Sequence, residues 1–444
     1  MLVSSFLLLI ILGALGLKLL PGLYTGAPLS WTDSFFTATS AVCVTGLIVV
    51  DTATYFTPLG QAFILLLIQL GGLGILTLTS LVIVALGRRL SLRRETLASA
   101  GSRLGYQIEP GVLVRRVVLL TAFFEVAGAL LLYLDWIPEM GPRRALWPAI
   151  FHAISAFCNA GFSVFSDSLM RFQLQPVTLT VVMLLVVVGG MGFLALEELR
   201  ERWLLGSANR PLPLSLHSRL VVIMTAVLVA AGAMLFLIME WKLTLAGLPG
   251  WARAFNAVFM SVTPRTAGFN TVDYSQVSEG TAFLTILLMF VGGSPGSMAG
   301  GIKTTTAALI VLVAWSRLRG QHVSSAWGRS VPEETVQRAV GVTVLAFAVV
   351  TGAIFIFSAI ESGRVVHSEG GGFLAHMFEA ASAFSTVGLS MGATPDLSSA
   401  GKWLTILLMY VGRVGPLTFA ASIALAAPRP GARFRYAYED VAIG

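Results

Sequence analysis

The chain has 444 residues, of which 56% are hydrophobic and 11% charged, with a formal net charge of +7. A soluble chain of this length makes about two or three domains and needs roughly a quarter of its residues charged, so that class is excluded. Two cysteines and no sustained heptads exclude a disulfide scaffold and a coiled coil as well, which leaves an all-α polytopic membrane protein. Glycine is in excess, 45 of 444, and clustered.

Apolar stretches of about the 20 residues a span requires fall at 2–20, 60–86, 112–134, 176–196, 217–241, 281–315, 336–360 and 402–427. Leu2–Leu20 has no basic region ahead of it and carries Lys18 at its far end, so it reads as a first span and not a signal peptide. Between the spans lie apolar stretches too short to cross, at 33–44, 147–158, 252–263 and 373–385. The order long, short, long recurs four times. It divides the chain into repeat one (1–86), a basic linker and repeat two (87–200), a linker and repeat three (201–318), and a linker, repeat four and short tail (319–444).

Loop charge orients this array. Segments 87–116, 200–219, 303–338 and 428–435 carry 19 of the 29 Lys/Arg, and all fall on one side if the short elements enter and leave by the same face. The positive-inside rule makes that side cytoplasmic, with both termini. The other face is acidic, with Asp33, Asp51, Asp135, Asp167, Asp273, Glu279, Glu361 and Asp396. The net positive charge is this asymmetry plus contact with anionic membrane lipid, not a nucleic-acid footprint.

The short elements end alike: Val44-Thr45-Gly46-Leu47, Asn159-Ala160-Gly161-Phe162, Thr266-Ala267-Gly268-Phe269 and Thr386-Val387-Gly388-Leu389. A half-helix entering from the acidic face points its partially negative C-terminus at the membrane centre. The chain then returns extended, and non-helical backbone at that depth is tolerated where it lines a water-filled path or is buried in protein. Four such strands around an axis make rings of carbonyls that replace a cation's water shell, and glycine permits the tight conformation. Close helix packing explains any one glycine, but not the same position in four repeats. The expected architecture is four tandem helix–pore-helix–helix repeats with fourfold pseudosymmetry around one pore.

A second glycine set follows about 25 residues later. Gly71-Gly72-Leu73-Gly74 and Gly189-Gly190-Met191-Gly192 read as packing glycines, with a hinge as the alternative. In repeat three, Gly292, Gly293, Ser294, Pro295, Gly296, Gly300 and Gly301 cannot hold a helix, and the stretch reads as a broken helix with a movable gate loop at 292–305 that includes Lys303. A phosphate-loop reading fails because Ile302 separates Gly301 from Lys303. In repeat four the set gives way to Arg413 at mid-membrane. That cation either donates to carbonyls of the loop and holds it closed, or stands in the pore as an electrostatic barrier, or snorkels to the cytoplasm.

These residues resemble the Trk/Ktr/HKT superfamily of potassium transporters over nearly the whole chain. Thr37-Ala38-Thr39-Ser40-Ala41, Gly268-Phe269-Asn270-Thr271, Gly292-Gly293-Ser294-Pro295-Gly296-Ser297, Ala299-Gly300-Gly301-Ile302-Lys303-Thr304 and Gly412-Arg413-Val414-Gly415 are similar to its signatures. Eight spans without an additional N-terminal pair resemble the KtrB type of pore subunit more than the TrkH type. The resemblance implies potassium uptake across a prokaryotic plasma membrane, one pore per chain, a homodimer, and a cytoplasmic ring of KtrA-like RCK subunits that bind nucleotide. It implies potassium on the carbonyls around Gly46, Gly161, Gly268 and Gly388, with the repeat-three loop as gate and Arg413 as its partner. Some members depend on sodium. The first two strands depart from Thr-Val-Gly, which leaves discrimination against sodium open.

An enzyme or a substrate-binding secondary transporter is the alternative class. Five scattered His and no H-E-x-x-H give an enzyme nothing to work with, no organic cofactor is expected in the chain, and four small repeats do not resemble two large inverted halves. Glu125 is the main in-span acid and reads as a helix–helix hydrogen bond. His152, Asn256 and Glu379 read as structural or vestibule groups, and Cys43 and Cys158 as buried thiols with a disulfide as the alternative.

Overall fold

The structure, a computed structural model, describes residues 2–74, 110–205, 214–321, 325–361 and 372–415. The stretch expected as repeat one holds α1 (Leu2–Leu19), α2 (Trp31–Val42), α3 (Thr52–Tyr55) and α4 (Pro58–Gly74), and the labels of the other three stretches are kept in the same sense. Repeat two holds α5 (Pro110–Met140), α6 (Pro142–Phe157), α7 (Pro176–Met191) and α8 (Phe193–Leu205). In repeat three are α9 (Leu216–Glu240), α10 (Gly250–Val262), α11 (Glu279–Phe290) and α12 (Thr304–Leu318), and in repeat four α13 (Glu333–Ile360), α14 (Gly372–Ser385) and α15 (Ser399–Val414). A small hairpin, β1 (Ser325–Ala326) and β2 (Arg329–Ser330), pairs Ser325 with Ser330.

Serine starts many of these helices because its hydroxyl satisfies an orphan first-turn N–H. Ser30 accepts from Asp33 N, Ser215 from Ser218 N, Ser278 from Thr281 N and Ser398 from Gly401 N. Two caps are clamped in turn by the carboxylate that closes the preceding long helix. Glu240 Oε1 accepts from Ser278 N at 3.0 Å, and Glu361 Oε1 from Ser398 N at 3.0 Å. Helices α9 and α13 are thereby fastened to the starts of α11 and α15.

Packing follows one rule through the chain. Each long first helix lies on its own short helix: α1 on α2, α5 on α6, α9 on α10, α13 on α14. Each second helix reaches the short helix of the next repeat: α7 against α10, α11 against α14 and α15 against α2. The remaining link, α4 to α6, is made by Trp147 Nε1, which donates to Gln61 Oε1 at 2.7 Å. The short helices are therefore interior, with Phe36, Phe151, Phe259 and Phe378 buried. Large apolar side chains remain exposed on the outer faces of α5, α9 and α13, among them Phe123, Val126, Met234, Ile238, Phe347 and Phe355. An apolar exterior around a small-residue interior suits lipid as solvent.

Among the described residues, three helices are long and apolar enough to cross a membrane: Val114–Met140, Leu216–Glu240 and Glu333–Ile360. The expected span 281–315 is two helices, α11 and α12, around a non-helical loop whose last residue is Lys303, so Thr304 already belongs to α12. The expected span 176–196 also departs from a simple rod: α7 and α8 meet at Gly192 with a bend of 106°. The expected spans 60–86 and 402–427 begin as α4 and α15, and their later parts lie outside the described residues.

Candidate functional site

The backbone leaves the short helices of repeats one, two and four through the same turn. In repeat one Thr45 N donates to Ser40 O at 2.8 Å and Val44 N to Ala41 O at 3.1 Å; in repeat two Ala160 N donates to Ser155 O at 2.7 Å and Asn159 N to Ala156 O at 3.1 Å. Repeat four matches, with Val387 N on Ser382 O at 2.9 Å and Thr386 N on Ala383 O at 3.1 Å. This nested pair is the Schellman arrangement, which needs a left-handed residue, normally glycine. Here Val44, Asn159 and Thr386 occupy that position at φ 55°, 59° and 52°, and Thr266 stands at φ 72° in repeat three. Left-handed backbone at a non-glycine residue costs about 1–3 kcal/mol, held in place by the surrounding structure.

Two residues on, Gly46, Gly161, Gly268 and Gly388 are again left-handed, at φ 92°, 69°, 77° and 92°. Their environments close on one another. A Cβ on Gly46 would overlap Ala160 O of repeat two; on Gly161 it would meet Ala267 O of repeat three at 2.9 Å; on Gly268, Val387 O of repeat four at 2.5 Å; on Gly388 it would overlap Thr45 O of repeat one. Each glycine thus leaves room for the carbonyl that precedes the next glycine, in the order one, two, three, four and back to one. Thr45, Ala160, Ala267 and Val387 therefore bring their carbonyl oxygens into a single ring.

A set of hydroxyls not singled out from the sequence holds these turns. Ser40 Oγ donates to Leu47 O at 2.7 Å, Ser155 Oγ to Phe162 O at 2.8 Å, and Thr263 Oγ1 to Phe269 O. Ser382 Oγ accepts from Gly388 N at 3.1 Å, as Ser40 Oγ does from Gly46 N at 3.1 Å. The signal was a serine six residues before Gly46, Gly161 and Gly388. In repeat three the hydroxyl sits one residue later, which hides the column in a gapless alignment.

On the side of the residues that follow the glycines, an open cavity of about 300 Å³ is lined by Gly46, Gly161, Gly268 and Gly388 together with Asp51, Asp167 and Asp273. The acids are each held by hydrogen bonds or an ion pair: Asp51 caps α3 and accepts from Ser166 Oγ of the following repeat at 2.6 Å, Asp167 pairs with Arg171 at 2.7 Å, and Asp273 accepts from Ser275 N at 2.9 Å. Gly392 and Pro395 line the cavity in repeat four, while Asp396 is not among its lining residues. Glu379, buried, accepts from Met391 N at 3.2 Å and from the Ser390 and Thr394 hydroxyls. His152 hydrogen-bonds Pro148 O and Ser163 Oγ, both at 2.8 Å, and Asn256 Nδ2 donates to Gln173 O at 2.9 Å.

On the opposite side, the loop between α11 and α12 lies against the strand ends. A Cβ on Gly292 would meet Thr266 Cγ2 at 3.2 Å, one on Gly300 would overlap Thr386 Oγ1, and one on Gly301 would meet Ser385 O at 3.4 Å. The loop pins itself by Gly292 N to Ile302 O at 2.9 Å, Thr304 N to Gly293 O at 3.0 Å, a Ser294–Thr304 hydroxyl bond at 2.9 Å, and Lys303 Nζ to Ala299 O at 2.6 Å. It is also held by neighbouring repeats. Ser294 N donates to Gly190 O at 2.8 Å, Met298 N to Gly189 O at 3.1 Å, and Phe193 N donates to Gly296 O at 2.9 Å. Gly189 and Gly190 have carbonyls to offer because α7 stops at Met191, which leaves last-turn acceptors unpaired within the helix. The repeat-two glycines therefore form a break that receives the loop, beyond their packing role. Gly71, Gly189 and Gly412 do pack closely, each leaving room for a short-helix carbonyl, of Val42, Phe157 and Phe384 respectively.

Arg413 is 4% exposed, so it does not snorkel. Its Nη1 donates to Met298 O in the loop and its Nη2 to Gly71 O at 3.4 Å in α4. One guanidinium thus bridges repeats one, three and four. Cys43 and Cys158 are both free and buried. Among the described residues, no group of three or more His, Cys, Asp or Glu could hold a metal ion.

Residues 2–431 match the family model described as TrkH, cation transport protein. The chain is 39% identical to the Ktr system potassium uptake protein B of Bacillus subtilis, over 95% of this chain and 91% of that one. It is 36% identical to the potassium/sodium uptake protein NtpJ of Enterococcus hirae, over 99% and 96% of the two chains. Against the solved structure of the potassium transporter TrkH from Vibrio parahaemolyticus it shares the fold, with a TM-score of 0.74 at 19% identity over 95% of this chain and 83% of the other. A helical membrane protein whose four short helices are each followed by a left-handed glycine, matched from end to end by transport proteins, belongs to the TrkH family of cation transport proteins.

Proposed function

We propose that the chain is the pore of a potassium uptake system, with four helix–pore-helix–helix repeats related by fourfold pseudosymmetry about one axis. The observation that carries this reading is the closed ring in which Gly46, Gly161, Gly268 and Gly388 each make room for the next repeat's carbonyl. Carbonyl oxygens and the C-terminal ends of the short helices both favour a cation. The acidic cavity beside the ring concentrates cations at its mouth. Relatives named for potassium uptake support potassium as the transported ion, and the one named for potassium and sodium supports sodium as a second. Val44, Thr45, Asn159, Ala160, Thr266, Ala267, Thr386 and Val387 complete the filter with the glycines.

In this reading the 292–305 loop, with Gly292, Gly293, Ser294, Pro295, Gly296, Gly300, Gly301 and Lys303, is the gate, and Arg413 latches it. The latch contact to Met298 O supports that role. The pore functions as a homodimer in a prokaryotic plasma membrane, with both termini and the basic loops cytoplasmic, where an RCK ring that binds nucleotide docks. Relatives that are lettered members of a Ktr system support a separate regulatory chain. The test is growth and potassium uptake in cells lacking their own potassium transporters. Gly388→Asp, which drives a carboxylate onto the Thr45 carbonyl, abolishes uptake; wild-type uptake and wild-type half-saturation would refute the filter.

A further inference from the structure

Behind the second filter strand lies a buried polar cluster that the ion pathway does not use. Glu125, on α5, is 8% exposed. Gln69 Nε2 donates to Glu125 Oε2 at 3.1 Å, and the Cys158 thiol donates to Gln69 Oε1 at 3.3 Å, with Glu125 Oε1 at 3.8 Å. The Glu125 carboxyl oxygen takes the Gln69 amide N–H and leaves the amide oxygen for the thiol. Cys158 is the residue on which α6 ends, its N–H on Ile154 O at 2.9 Å, and the next residue is Asn159 at φ 59°. On its other side, the thiol is 3.1 Å from where a Cβ on Gly72 would lie. A thiol bonded to Gln69 and Glu125 and packed close to Gly72 sits directly before the left-handed residue of the strand.

Among the described residues, this bonded trio is found at the strand of repeat two. The equivalent positions, three residues before the glycine, are Cys43, Arg265 and Ser385. Arg265 donates to Thr225 at 3.2 Å and Ser385 Oγ has no partner among the described residues. Strand two is also the one without a hydroxyl: Thr45, Thr266 and Thr386 stand in the others, against Asn159-Ala160 here. It touches strands one and three, since Ala160 O fills the space at Gly46 and Gly161 faces Ala267 O. A small shift at Cys158 therefore alters carbonyl spacing at two of the four joints. A carboxyl group within a span is costly to keep and marks function by default.

We infer that Glu125 is a positioning residue for potassium-over-sodium discrimination, acting through Gln69 and Cys158 on the second filter strand. This rests on the pore reading above. The test is competitive rubidium and sodium flux through full-length protein reconstituted in liposomes. Glu125→Ala lowers the rubidium-to-sodium ratio about threefold or more, the scale of one lost weak hydrogen bond at a filter joint. Glu125→Gln, which retains an acceptor, restores most of the ratio. Cys158→Ala leaves the Glu125–Gln69 bond in place and lowers the ratio to a similar extent. A wild-type ratio in Glu125→Ala overturns the inference, even with a lowered melting temperature, because that is the signature of a merely structural bond. If Glu125→Ala fails to assemble, a wild-type ratio in Cys158→Ala overturns it alone. Failure of Gly388→Asp to impair uptake would instead sink the pore reading, so the two failures are separable.

Discussion

Replacing Arg413 by methionine removes the proposed latch with little change in volume. The guanidinium gives the loop one bond to Met298 O and gives α4 a second, longer one to Gly71 O at 3.4 Å. A hydrogen bond from a charged donor contributes about 1.5–3 kcal/mol. With each 1.4 kcal/mol worth a factor of ten, the closed-to-open ratio of the loop falls by about 10- to 150-fold. The loop does not collapse outright, because Ser294 N on Gly190 O and Met298 N on Gly189 O still hold it. Losing a buried cation below the ring also lowers the barrier to a permeating one, so both effects raise conduction. The assay is rubidium uptake into liposomes by purified protein without a regulatory partner. Arg413→Met raises this basal flux at least about tenfold, on the lower figure above. Arg413→Lys, which keeps the charge and loses the forked geometry, falls between the two. An Arg413→Met protein that elutes and melts like wild type yet conducts no faster refutes the latch.

The contact between Gly300 and Thr386 gives a second prediction. A Cβ on Gly300 would overlap Thr386 Oγ1, so Gly300→Ala pushes the loop off strand four and raises basal flux, and adding Thr386→Ala relieves the overlap and returns flux toward wild type. The hydroxyl clamp gives a third. Ser155→Ala removes the 2.8 Å bond to Phe162 O, a loss of about 1 kcal/mol, so the half-saturating potassium concentration for uptake rises roughly fivefold at unchanged membrane yield.

The left-handed glycines after the short helices, the break between α11 and α12 and the buried arginine were legible because each is a local anomaly. A glycine after a non-spanning helix, a run that cannot be helical and a charge in an apolar span need no partner to be noticed. Gly192 was not legible in this way. Gly189-Gly190-Met191-Gly192 fits a packed helix as well as a broken one, and the choice is made by N–H groups of Ser294 and Met298, about a hundred residues away in sequence, which cap the interrupted turn. The serine clamp was visible as a column in three repeats, but its meaning depends on a side chain reaching seven residues ahead to Leu47 or Phe162. The one-residue slip that puts Thr263 in that role in repeat three breaks the column. Asp51, Asp167 and Asp273 follow their glycines by five or six residues, a spacing that carries all three to the lining of the cavity.

The bend at Gly192 has a mechanical consequence. Beyond it, α8 is fastened at both ends of its first half. Phe193 N holds Gly296 O of the loop at 2.9 Å, while Glu197 pairs with Arg116 of α5 at 2.9 Å. Glu198 adds a third attachment, accepting from the Ser215 hydroxyl that starts α9 at 2.7 Å. A helix turned 106° from its predecessor on a glycine pivot is a crank, with the loop on the short arm and α5 and α9 on the long one. Any rotation of α8 about Gly192 must drag Gly296 with it or part from it, so the position of the loop is geared to the starts of α5 and α9.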